Sequence, residues 1–184
     1  MGALWIVLLV AVVLVVFVWS LYNSLITAKA RVEESWSGID VQLKRRASLI
    51  PNLVETVKGY AKHEKEIYDR IMKAREGLGS GSRKDQAKAN DMITEALKSI
   101  FAIAESNPEL KANQNFLKLQ EELSDTESKV AYSRQFYNSN VLDFNVKIRV
   151  FPNVLIANML GFKQEEFFRA TEEERADVTV DFKS

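Results

Sequence analysis

A chain of 184 residues with 25 Lys and Arg against 25 Asp and Glu carries no net charge, which excludes the basic surplus that a general nucleic-acid binder uses to hold phosphates. It has no cysteine, and that removes disulfides, thiol catalysis, iron–sulfur clusters and a lipid-modified cysteine anchor. Its apolar residues are concentrated at one end: Ala3 to Trp19 form an unbroken run, and the first charged side chain is Lys29.

Extended to Tyr22, the run is about 20 residues long, enough for a helix rising about 1.5 Å per residue to cross the roughly 30 Å hydrocarbon core of a bilayer. Ala3, Leu4 and Trp5 at one end, with Trp19 and Tyr22 at the other, fit an anchor whose aromatics sit at the two interfaces. A cleaved secretory signal has a basic start and an apolar stretch of about 7–15 residues. Here Met1 and Gly2 precede the run without Lys or Arg, and the small-x-small pattern Ala28-Lys29-Ala30 lies well beyond it. The expectation is a retained single-pass anchor. Lys29 and Arg31 follow the span closely, with Lys44, Arg45 and Arg46 later, so the positive-inside rule puts the N-terminus outside and the C-terminal part in the cytoplasm. From Lys29 to Lys62 there are seven basic residues against four acidic; from Lys163 to Lys183 the ratio reverses, four to seven. The basic membrane-proximal stretch suits anionic headgroups.

After the anchor, Val32, Trp36, Ile39, Leu43, Ile50, Val54, Val57 and Ala61 recur mostly in steps of three and four, the mark of an amphipathic helix that continues the span without punctuation. Pro51 divides this pattern, because the residue before a proline disfavours helical dihedrals, and it predicts a break or kink near Ile50-Pro51. A second helix is expected from Pro51 to about Arg75, with Ile67, Ile71 and Met72 on its stripe. Gly77-Leu78-Gly79-Ser80-Gly81-Ser82 is a loop by composition, with neither the Lys-Ser/Thr nor the preceding strand of a phosphate-binding loop. A third helix, from about Asp85 to Glu105, has Met92, Ile93, Leu97, Ile100, Phe101 and Ile103 as its buried face and closes at Asn107-Pro108. A fourth begins at Pro108-Glu109, carries Leu110, Phe116, Leu117, Leu123, Val130, Phe136, Tyr137 and Val141 to about Ile148, and is stopped by Phe151-Pro152. Its length, roughly 40 residues, suggests projection beyond a compact bundle.

The fold class that follows is all-α: a single N-terminal transmembrane helix continuing into an antiparallel four-helix bundle, with a short C-terminal helix. The segments are 1–22 (anchor), 23–150 (bundle), 151–170 (apolar C-terminal helix) and 171–184 (polar tail).

Phe151, Val154, Leu155, Met159, Phe162, Phe167 and Phe168 are too many large apolar groups for a solvated tail, and form the candidate interaction surface. Gly161 ends a short helix from Pro152 to Leu160. The segment folds back on the bundle, lies in the membrane interface, or meets a neighbouring subunit. Tyr132 to Asn145 interleaves Arg134, Gln135, Asn138, Asn140 and Asn145 with Phe136, Tyr137 and Phe144; a helix with an aromatic buried face explains it more readily than a recognition surface. Val178, Val180 and Phe182 alternate with polar residues, as in an edge strand or a disordered terminus. His63, beside Glu64 and Glu66, is the sole histidine, and helical two-metal sites need Glu-His pairs on two helices. No catalytic, cofactor-binding or metal-ligating residue is assigned.

The sequence resembles the LemA family of bacterial membrane proteins over nearly its whole length. The residues that carry this are the anchor with Tyr22-Asn23, Trp36, Arg45-Arg46 and Leu49-Ile50-Pro51-Asn52-Leu53-Val54, then Tyr60-Ala61-Lys62-His63-Glu64 and Ala104-Glu105. Tyr132-Ser133-Arg134-Gln135-Phe136-Tyr137-Asn138 and Phe151-Pro152-Asn153 complete the set. The resemblance implies an N-terminal membrane helix, a helical-bundle body and no established enzymatic activity; a magnetosome-membrane protein is similar to this family, which points to membrane organisation. The expected function is a non-enzymatic scaffold or adaptor at the inner membrane surface. Its expected partners are the lipid bilayer, further copies of itself and other membrane proteins, with no nucleic acid. The alternatives are an oligomeric coat that remodels the membrane and, third, an enzyme using His63 as its acid–base group.

Overall fold

The computed structural model describes residues 2–58, 60, 65–79 and 82–168. Among them every regular element is an α-helix, as the periodicity predicts: α1 (Gly2–Lys58), α2 (Lys65–Gly79), α3 (Arg83–Ser106), α4 (Pro108–Lys111), α5 (Gln114–Lys147) and α6 (Asn153–Met159). They divide into two compact units. One takes the residues up to Asp40 together with Ala131–Phe167; the other takes Val41–Val130 and Phe168. Helices α1 and α5 each contribute to both.

In the first unit, α1 begins with exposed side chains. From Gly2 to Ser20 all are exposed, and none of the apolar window that qualifies this helix to cross a membrane is buried inside the protein. The core helix of a water-soluble domain hides such a run. Burial starts at Leu25 and continues through Val32, Ser35 and Ile39, while α5 supplies Tyr137, Val141 and Phe144, and the turn after it Ile148. The Trp36 and Tyr137 rings meet edge-on, 5.3 Å apart at 66°.

The second unit has an aliphatic core: Leu43, Ile50, Leu53 and Val57 from α1, Ile71 and Leu78 from α2, Ile93, Leu97 and Ile100 from α3, and Leu123 from α5. Gly77 lets α2 lie against α3, since a Cβ there would sit 3.0 Å from the Ala89 Cβ. Phe101 and Phe116 pack edge-on with centroids 6.2 Å apart.

Several expected boundaries are corrected. The break at Ile50-Pro51 does not occur: Pro51 lies inside α1, which runs on to Lys58. A proline inside a helix costs about 3 kcal/mol. Ile50, Leu53, Val54 and Val57 are all buried around it, each stabilising by about 1.5–3 kcal/mol, so burial wins. The second helix accordingly runs Lys65–Gly79 rather than from Pro51 to Arg75. The expected long fourth helix is split, because Asn113 Oδ1 accepts the backbone N–H groups of Asn115 (2.9 Å) and Phe116 (3.2 Å) and thereby starts α5 afresh after α4. Helix α3 starts ahead of Asp85, where Ser82 and Asp85 cap one another reciprocally. Met92, expected in the buried face of α3, is exposed; that face is completed instead by Ala89, Ala96 and Ala104. The end of the C-terminal helix is as expected. Gly161 takes φ +72°, the Phe162 N–H donates to the Ala157 carbonyl (2.9 Å), and the Gly161 N–H donates to Asn158 (3.2 Å).

Candidate functional site

No group of His, Asp and Glu residues able to hold a metal ion occurs among the described residues. His63 and Glu64 lie outside those residues, as do Val178, Val180 and Phe182. Two arrangements stand out instead, one in each unit.

The first lies where α1 leaves its apolar segment. Lys147, in the last turn of α5, donates from Nζ to the Ser24 carbonyl at 3.4 Å, two residues past Tyr22. Lys29 Nζ stands 5.9 Å from the centre of the Phe162 ring, and that ring packs edge-on against Phe144 at 6.1 Å. The chain beyond α6 is then strapped to α5. Asn145 uses both ends of its amide on Glu165, donating to the carbonyl (2.9 Å) and accepting from the N–H (2.8 Å). The Tyr137 hydroxyl donates to the Glu166 carbonyl at 2.9 Å. A buried asparagine offers a donor and an acceptor side by side, so it can pair both backbone groups of one residue as a neighbouring strand would. The sequence singled out Asn145 and Tyr137 as members of a polar-aromatic stretch; their spacing from Glu165 and Glu166 gave no hint of the strap.

The predicted anchor residues Ala3, Leu4, Trp5, Trp19 and Tyr22 are all exposed, Arg31 is exposed and Lys29 half-buried. The candidate interaction surface is divided. Phe151, Leu155, Met159 and Phe167 point outward, Val154 and Phe162 are half-buried, and Phe168 is buried.

The second arrangement was not found from the sequence. Arg46 is 1% exposed inside the second unit, a position where periodicity alone expects an aliphatic residue. Its Nη1 donates to Asn90 Oδ1 at 2.6 Å, and its Nη2 lies 3.9 Å from the Glu127 carboxylate. Burial lowers the guanidinium's pKa, with Glu127 and Asp91 acting in the opposite sense. A charge taken out of water tolerates this only with partners, and Asn90, itself buried, is the nearest. On the surface above, Arg45 and Lys129 both face Asp125, at 4.0 and 2.8 Å, and hold its carboxyl below the usual range, Lys129 more than Arg45.

Comparison with known proteins agrees with this architecture. The sequence pattern of the LemA family matches residues 35–182. The chain is 28% identical over 161 residues to the protein LemA of Metamycoplasma hominis, covering 85% of this chain and 72% of the relative. It is 25% identical over 185 residues to the magnetosome protein MamQ of Magnetospirillum gryphiswaldense, covering 84% and 68%. It is 23% identical over 176 residues to magnetosome protein MamQ 2 of Paramagnetospirillum magneticum, covering 80% and 64%. None of these names describes an enzyme. Such relatives, together with an unburied helix long enough to span, mark a membrane protein.

Proposed function

The chain belongs to the LemA family, and from that premise we propose that it is a non-enzymatic scaffold of the bacterial inner membrane. On this reading the apolar part of α1 stays in the bilayer, and the helical units stand on the cytoplasmic side, where they gather further copies of the chain or other membrane proteins. Lys29 and Arg31, close behind the span, support that orientation.

One observation carries the reading. Helix α1 passes from its exposed apolar segment into buried packing without a break: Leu25 is buried three residues after Tyr22, and Lys147 reaches Ser24 beside it. A body held this closely to its anchor is confined to a plane at fixed height. Confinement raises effective concentration, so weak lateral contacts suffice for assembly. The outer side of α5 offers such contacts, with Tyr132 and Phe136, then Leu142 and Val146, exposed in steps of four.

Crosslinking of the full chain in native membranes, followed by mass measurement in detergent, tests the proposal. Adducts of two or more copies, or of this chain with another membrane protein, are expected. A strictly monomeric particle with no crosslinked partner overturns it.

A further inference from the structure

We propose that the corner between α5 and α6 is a second lipid contact, with Phe151, Leu155 and Met159 seated at the headgroup–acyl boundary of the leaflet that α1 leaves at Trp19–Tyr22. This rests on the reading of α1 as a retained anchor.

The height of the corner follows from contacts within the first unit. Trp36 of α1 meets Tyr137 of α5, and Ser24 of α1 meets Lys147 of α5. Twelve residues toward the start of α1 therefore match ten residues toward the end of α5, so the two helices are antiparallel and α5 descends toward the apolar segment. Past Lys147 the chain keeps turning: the Arg149 and Val150 N–H groups both donate to the Val146 carbonyl. Three further residues at about 1.5 Å each bring Val150 and Phe151 to the level of Ser20–Tyr22. On the far side of the corner Phe162 returns to Phe144 and Lys29, and Glu165 and Glu166 to Asn145 and Tyr137. The segment 150–161 is thus the part of this fold-back nearest the span.

What the corner displays at that height is inverted for water. On α6 Leu155 (61%) and Met159 (74%) are exposed four residues apart, and Phe151 (80%) is exposed on the turn just before it, whereas the residue α6 buries is Ala157. A short helix that turns its smallest apolar residue inward and its largest outward is built for an apolar surrounding. Interfacial helices seat such faces about 5–10 Å into the headgroup–acyl boundary. The charges agree: residues 2–32 and 144–164 contain Lys29, Arg31, Lys147, Arg149 and Lys163 and no Asp or Glu, which suits an anionic leaflet.

Because the chain has no cysteine, single-site spin labels report depth directly. The full chain is reconstituted into phosphatidylcholine–phosphatidylglycerol vesicles as Phe151→Cys, Leu155→Cys and Met159→Cys, with Leu9→Cys as a reference in the span and Ser124→Cys as a reference in water. Oxygen and a water-soluble nickel chelate are the relaxing agents, and circular dichroism checks that each variant stays helical. Labels at 151, 155 and 159 should be shielded from nickel and open to oxygen, at least fivefold shifted in that ratio from Ser124→Cys, and unchanged when the protein is diluted with lipid. Values equal to Ser124→Cys, with Leu9→Cys still in lipid, overturn the second contact and leave the anchor standing. Label-to-label dipolar broadening that persists on dilution assigns the face to a second copy and also overturns it. A nickel-accessible Leu9→Cys defeats the anchor itself.

Discussion

In the unit built on Val41–Val130, most large aliphatic side chains are inside, with Val41, Met72, Met92 and Leu117 as exposed exceptions; in the unit that holds the apolar segment, Leu4 to Trp19, Phe151 and Met159 are all outside. The first unit's own interior leans on aromatic and polar devices: the Trp36–Tyr137 pair, Phe162 between Lys29 and Phe144, and the Asn145 strap. The contrast teaches that the exposed apolar start of α1 is not fitted to water as the second unit is: water rewards hiding a leucine, whereas a bilayer gives no such reward.

The sharpest way to break this comparison is to make the same truncation in both regions. Leu97→Ala, deep in the second unit, is expected to lower unfolding stability by about 2–5 kcal/mol. Leu9→Ala, on an exposed stretch of α1, should leave the same denaturant midpoint in detergent within about 0.5 kcal/mol. Equal losses would show that the apolar segment packs against protein.

Next in size is the buried arginine. Asn90→Ala removes the partner of the Arg46 guanidinium and should cost about 1.5–3 kcal/mol. Arg46→Met removes the charge together with its need, and chemical denaturation should place it within about 1 kcal/mol of the parent. If Arg46→Met is the more damaging of the two, Arg46 contributes an interaction beyond those at Asn90 and Glu127.

The strap comes third. Asn145→Ala should cost about 1–3 kcal/mol by removing both hydrogen bonds to the Glu165 backbone, and Tyr137→Phe about 1 kcal/mol. Both should speed amide exchange at residues 162–167 before any change appears in the second unit.

The smallest expected effects are at the start of α3. Ser82→Ala should cost about 1 kcal/mol through loss of the cap. Hydrogen bonds from the Ser82 hydroxyl and N–H hold the Asp85 carboxyl below its ordinary value, which favours the charged form in the folded state. That contribution is present above the unfolded carboxylate's value of about 4 and is lost as pH falls through the depressed one. Exchange in the first turn of α3 should therefore quicken selectively in acid, and a flat profile from pH 5 to 2 would show the cap to be inert.

Much of this architecture was legible. The all-α class, the long apolar helix at the start of α1 and the stop at Gly161 follow from periodicity, apolar length and glycine's access to positive φ, which are local properties of the chain. Three features were not. Pro51 reads as a breaker because its penalty is local, while the burial of Ile50, Leu53, Val54 and Val57 that overrides it is tertiary. Arg46 sits in an apolar register and reads as surface, because its partner Asn90 is 44 residues away. The split at Asn113 was written in a capping residue, but a long apolar pattern on both sides masked it. Of the candidate surface, composition showed that Phe151 to Phe168 needed cover; only the fold separates outward Phe151, Leu155 and Met159 from buried Phe168.

The central claim is that the apolar start of α1 stays in the bilayer. Alkaline carbonate extraction of cell membranes, followed by intact-mass measurement of the recovered chain, tests it most directly. The account predicts a carbonate-resistant, detergent-extractable protein whose mass includes Ala3 to Tyr22. Recovery of a shortened chain in the aqueous fraction, with that segment removed, would contradict it.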